Sequence, residues 1–78
     1  MNKRSVSIRG HRTSFSLEDD FWQELKAIAA RRKISLAQLV TQIDVRRSEE
    51  ENLSSALRLH VLRDLKSRLQ PPPENSAD

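Results

Sequence analysis

HRTSFSLEDDFWQELKAIAARRKISLAQLV, residues 11–40, is the stretch whose reading decides the fold. From His11 to Leu17 polar and apolar residues alternate. Thr13, Phe15 and Leu17 fall on one side and Arg12, Ser14 and Ser16 on the other, the period-two pattern of a half-buried strand. Glu18, Asp19 and Asp20 then open a helix predicted over Glu18–Arg32. Its first-turn carboxylates complement the positive end of the helix dipole, and Arg31, Arg32 and Lys33 the negative end. Phe21, Leu25, Ile28 and Ala29 recur at the spacing of one buried face, with Trp22 on its shoulder. Ser35 predicts the cap of a second helix, with Gln38 completing a capping box, and Leu36, Leu39, Val40 and Ile43 form its apolar face. One short strand leaves its backbone groups unpaired. The simplest repair is a second copy of the chain, pairing strand with strand.

Upstream, residues 1–10 are polar and basic with two apolar residues, Val6 and Ile8. Their parity is opposite to that of Thr13 and Phe15, so a continuous strand would put them on the polar face. Gly10, the sole glycine, sits where the phase changes and suggests a bulge or break. The expectation is a flexible basic arm ahead of the paired strand. A hairpin turning at Gly10-His11 competes with it, but sets Arg9 directly across from Arg12, an unfavourable like-charge pair.

Downstream, the polar run DVRRSEEEN, residues 44–52, contains no glycine or proline, so the second helix is expected to continue into it before a corner near Asn52. A third helix is predicted over Leu53–Leu69, with Leu53, Leu57, Val61, Leu65 and Leu69 at four-residue spacing, widened by Leu59 and Leu62. Pro71, Pro72 and Pro73 end it, and the final ENSAD should be disordered. The chain thus divides into a basic arm (1–10), a strand-and-helices domain (11–69) and a Pro-rich tail (70–78).

A chain of 78 residues buries little core alone and usually needs disulfides, metal or oligomerisation. Cysteine is absent, which removes disulfides, thiolate metal sites and cysteine catalysis. Two separated histidines, His11 and His60, argue against structural zinc, which leaves oligomerisation. There is no glycine-rich phosphate loop and no supported nucleophile, so no enzyme and no cofactor is expected. No run is apolar enough to span a bilayer and no secretory segment is seen, which predicts a cytoplasmic protein. The net charge is +3, and because the tail holds Glu74 and Asp78 without a base, residues 1–69 hold +5. Met1–Leu17 carries Lys3, Arg4, Arg9 and Arg12 and no acid, a distribution suited to a polyanion.

The layout resembles the ribbon-helix-helix family of bacterial DNA-binding proteins, the Arc/MetJ type. The residues that carry the resemblance are Arg12–Leu17 as the ribbon, Phe21, Leu25, Ile28 and Ala29 on the first helix, and Ser35–Val40. The run SIRGHRTSFSLEDDFW is also similar to a small bacterial subgroup with an extra C-terminal helix. The resemblance implies a mainly α, intertwined homodimer whose two strands form a ribbon in the DNA major groove, acting as a transcriptional regulator associated with the nucleoid. Arg12, Ser14 and Ser16 would then contact bases, while Ser35 and Leu36 anchor a phosphate through helix-terminal amides. Lys3, Arg4, Arg9 and His11 would add phosphate contacts. Thr13, Phe15, Leu17, Phe21, Leu25, Ile28, Leu39, Val40 and Ile43 would form the dimer core. Two other functions compete: an antitoxin of the same fold holding a toxin through its C-terminal part, and a dimeric adaptor that binds a protein partner through its helices without binding DNA.

Overall fold

The computed structural model describes residues 2–69. The element order is β1 (Asn2–Ile8), β2 (His11–Leu17), α1 (Asp19–Arg32), α2 (Leu36–Arg46) and α3 (Leu53–Leu69). The Pro-rich tail expected beyond residue 69 lies outside the described residues.

The first ten residues overturn the expectation of a flexible arm. β1 pairs antiparallel with β2 along its whole length, from Ile8 opposite His11 to Asn2 opposite Leu17. The turn is Arg9-Gly10, with φ 53° and 81°. Positive φ at both central residues is the signature of the type I′ hairpin turn, whose twist matches that of the strands. A two-residue turn always sets an even-numbered residue of β1 opposite an odd-numbered one of β2. The opposite parity of Val6 and Thr13 is therefore the register itself and not a break. Arg12 faces Ser7, and the like-charge pair of a turn one residue later never forms.

One chain therefore supplies both strands of its ribbon, where the sequence reading required two copies. The inner face sets Ile8, Val6 and Arg4 beside Phe15 and Leu17. Ile8, Phe15 and Leu17 join Leu25, Ile28, Ala29, Leu39, Val40 and Ile43 in the core, completed by Leu53, Ala56, Leu57 and Val61 of α3. The residues expected to make a core between two copies thus make one inside a single chain, with Thr13 and Phe21 half-buried at its edge. The added strand and third helix explain how so short a chain finds enough apolar surface to bury.

The helix ends follow local chemistry. Glu18 occupies the N-cap of α1 without a side-chain cap bond; its carboxylate instead accepts from Arg58 Nε at 2.9 Å. At the other end Lys33 adopts the left-handed conformation (φ 59°). Its amide donates to the Ala30 carbonyl and that of Ile34 to Ala29, a Schellman closure in which glycine is the usual residue. α2 stops at Arg46, earlier than expected. Arg47 turns extended, and its guanidinium donates to Asp44 Oδ1 and to the Glu51 carbonyl, both at 2.7 Å. This stitch replaces the glycine or proline that the corner lacks. Asn52 then caps α3, its Oδ1 accepting from the Ser55 amide at 2.8 Å. Ion pairs Arg58–Glu18, Arg31–Asp64 and Arg68–Glu24 bind α3 to the start and body of α1.

No helix among the described residues is long and apolar enough to cross a membrane, and no group of three or more His, Cys, Asp or Glu there could hold a metal.

Candidate nucleic-acid interface

The hairpin register sorts the polar side chains onto one surface. Alternation sends Arg12, Ser14 and Ser16 of β2 outward, and the cross-strand partners of those residues are Ser7, Ser5 and Lys3. All six are exposed. A ribbon built from two copies of the chain would present Arg12, Ser14 and Ser16 twice. The face is made instead by one copy of each and by three β1 residues, of which Ser5 and Ser7 carried no assignment. The period-two pattern of β1 marks them as outward once the turn falls at Arg9-Gly10.

At the centre of the face Ser5 and Ser14 share a hydroxyl–hydroxyl bond of 3.1 Å. Each hydroxyl retains further donor or acceptor capacity. The two cations lie diagonally: Arg12 near the turn on one strand, Lys3 near the open end of the other. The four residues of register between them correspond to about 13 Å along the ribbon, about four base-pair rises measured along the axis of a B-form duplex. Arg9 and His11 are exposed at the turn end, and neither strand carries a carboxylate. The β2 edge is covered at one point only among the described hydrogen bonds, where Ser54 Oγ donates to the Ser16 carbonyl at 2.8 Å.

Arg4 departs from its expected role. It lies on the inner face, where NH2 donates to Asp19 Oδ1 at 2.8 Å and the guanidinium sits 4.7 Å from the centre of the Trp22 ring. Trp22 in turn meets Phe15 with ring centres 6.1 Å apart. The Arg4 Nε is buried without a partner. This cation staples β1 to α1 and is not free to reach a phosphate, while Trp22 packs against both Arg4 and Phe15.

The α2 terminus has the geometry predicted for it. Ser35 Oγ accepts from the Gln38 amide at 3.0 Å and Gln38 Oε1 from the Ser35 amide at 2.9 Å, a reciprocal capping box. Of the first amides of α2, Gln38's is therefore occupied, while those of Leu36 and Ala37 have no helical acceptor and remain suited to an anion. Ser35 itself is exposed and Leu36 half-buried.

A second basic locus went unseen in the sequence. Arg32, Arg46, Arg47 and Arg63 line a cleft with His60. The His60 imidazole is held below its ordinary range, first by burial and then by Arg32, Arg46 and Arg63, with Asp64 opposing. Glu18 is also shifted downward, chiefly by the hydrogen bond from Arg58.

Comparison with curated proteins and with solved structures gives no significant match. A family model described as a ribbon-helix-helix domain matches residues 1–65. That span takes in both strands, the first two helices and most of α3, and the chain belongs to the ribbon-helix-helix domain family.

Proposed function

We propose that the protein is a non-enzymatic, double-stranded-DNA-binding transcriptional regulator, acting in the cytoplasm on the nucleoid, that lays the outer face of its hairpin in the major groove. The observation that carries this reading is that face: six exposed polar side chains on two strands without a carboxylate. A two-stranded ribbon fits the major groove, where every base pair presents a distinct donor–acceptor pattern. Arg12 is the principal reader, because its guanidinium can make two hydrogen bonds to guanine O6 and N7. Ser14 and Ser16 reach less far and give more permissive contacts. Lys3, Arg9 and His11 meet phosphates beside the groove, and the Ser35 cap with the amide of Leu36 holds another. Binding of this kind is salt-dependent through counterion release, with the base contacts supplying the selectivity.

The regulator acts as a homodimer. With the ribbon completed inside each chain, the surface offered to a second copy is the end of α3, where Leu62, Leu65 and Leu69 are 47, 37 and 73 % exposed along one stripe. The same stripe supports a second reading, an antitoxin that holds its toxin there.

The test is fluorescence anisotropy with a pool of genomic duplexes over a salt series, wild type against Arg12→Ala. Selective binding that the substitution abolishes supports the ribbon reading. Tight unselective binding that responds only to salt contradicts selective readout, and no binding at low salt favours the adaptor. Sedimentation of Leu65→Glu separates the two uses of α3: loss of a dimer supports self-association, whereas a wild-type monomer favours the heterologous partner.

A further inference from the structure

The structure assigns a phosphate-binding site to the cleft between the C-terminal ends of α1 and α2 and the middle of α3, a locus the ribbon does not use. The cleft encloses about 220 Å³ over a floor of Ile43, Ala56 and Leu59. The arginines elsewhere on the helical surface are paired. Arg31, Arg58 and Arg68 each meet a carboxylate, and Arg47, at the cleft's edge, is held by Asp44 and the Glu51 carbonyl. Arg32, by contrast, donates only to the neutral Gln42 Oε1 at 3.1 Å. Arg46 and Arg63 have no hydrogen-bond or ion-pair partner among the described residues. Asp64, the nearest compensating acid on α3, is already shared by Arg31 and Arg68. Three guanidinium groups from three helices, with Arg47 beside them, therefore line one concavity in which Glu51 is the one acidic side chain among the described residues, a positive excess set against the negative C-terminal ends of α1 and α2.

Two further features point to an anion. His60, half-buried in the wall, has its protonated form disfavoured first by burial and then by those same three arginines, with Asp64 opposing, so all three cations act on the interior of the cleft. Guanidinium also offers planar paired donors that match phosphate oxygens. The volume is below the ~300 Å³ at which pockets begin to enclose a whole drug-sized ligand. The group recognised is thus a phosphate or diphosphate, with whatever bears it projecting outward. Arg46 is eleven residues along α2 from Ser35, about 16 Å by helix rise, so this site is separate from the amides at the start of α2. The phosphate can come from a small phosphorylated molecule or from the backbone of a duplex running past the ribbon.

The experiment uses the full chain and inorganic pyrophosphate as probe, titrated by calorimetry at constant ionic strength. The double variant Arg46→Gln/Arg63→Gln is compared with wild type, since both side chains are exposed and their loss leaves the core intact; thermal unfolding checks this. Wild type should bind pyrophosphate at one saturable site, and the variant about tenfold or more weakly, because two charge-assisted contacts are lost. The salt slope of duplex binding identifies the source. A slope unchanged in the variant assigns the site to a small phosphorylated molecule. A slope reduced by about two assigns it to the DNA backbone. If the variant alters neither pyrophosphate affinity nor the salt slope, the assignment is wrong. The calorimetric arm stands even if the protein binds no DNA, so its failure is separable from failure of the ribbon reading.

Discussion

Replacing Ile8 by alanine separates a folded hairpin from a basic arm. Ile8 is 5 % exposed and belongs to the core cluster, although it directly precedes the turn. Burying such a side chain contributes about 1.5–3 kcal/mol in transfer free energy, and truncation of Ile to Ala in cores costs about 2–5 kcal/mol once the cavity is included. The hairpin end can settle partly into the space, so the lower half applies and the expected loss is about 2–3 kcal/mol. Domains have about 0.05–0.15 kcal/mol of stability per residue, so the substitution removes a large share of the total. Equilibrium urea unfolding followed by far-UV circular dichroism measures it. With a slope of about 1 kcal/mol per molar for so small a chain, the midpoint should fall by about 2–3 M. Ser7→Ala, on the exposed outer face, is the control and should stay within about 0.5 kcal/mol of wild type. An Ile8→Ala midpoint that matches the control would show that β1 is not packed, and the in-chain ribbon would be refuted.

Arg9 holds a left-handed conformation that asparagine tolerates better, so Arg9→Asn should raise stability by about 0.5–1 kcal/mol in the same urea assay; a destabilised variant would contradict the type I′ turn. That substitution should also lower DNA affinity, setting stability and binding in opposition. Ser35→Ala removes the acceptor for the Gln38 amide and should cost about 1 kcal/mol of stability, while an unchanged midpoint would show the capping box to be dispensable. For His60 the folded pKa is depressed, so its neutral form is favoured by folding. The stability it contributes is present above the ordinary histidine range, about 6.5, and is lost as the pH falls below it. Wild type should lose stability more steeply than His60→Gln between roughly pH 7.5 and 5.5, and parallel pH profiles would disprove the link.

What could be read from the sequence was whatever a single element encodes locally. The third helix runs Leu53–Leu69 as its four-residue leucine spacing predicts, and the Ser35–Gln38 box is present with both bonds. The β1 pairing was hidden because Arg9 is not a residue that announces a turn with positive φ. Placing the turn at Gly10-His11 created a charge clash that belongs to no real register. Arg4 has the spacing of an exposed arm residue until β1 is paired, when it falls on the inner face against Trp22. Arg47 ends α2 through contacts to Asp44 and Glu51 that no propensity describes. The arginine cleft draws on positions 32, 46 and 63, each with an adequate local explanation at a helix end or solvated face. Only the packing of three helices brings them together.

Entry of the ribbon into the major groove is tested most directly by one binding comparison. A duplex carrying the selected site would be prepared in two forms, one unmodified and one with a bulky glucosylated hydroxymethyl group on C5 of each cytosine, which fills the major groove and leaves the backbone charge unchanged. Anisotropy at moderate salt should show selective binding to the unmodified duplex, reduced by roughly 10³-fold or more to the unselective level on the blocked one. Equal affinity for the two duplexes would contradict the ribbon mechanism and place recognition in the backbone or the minor groove.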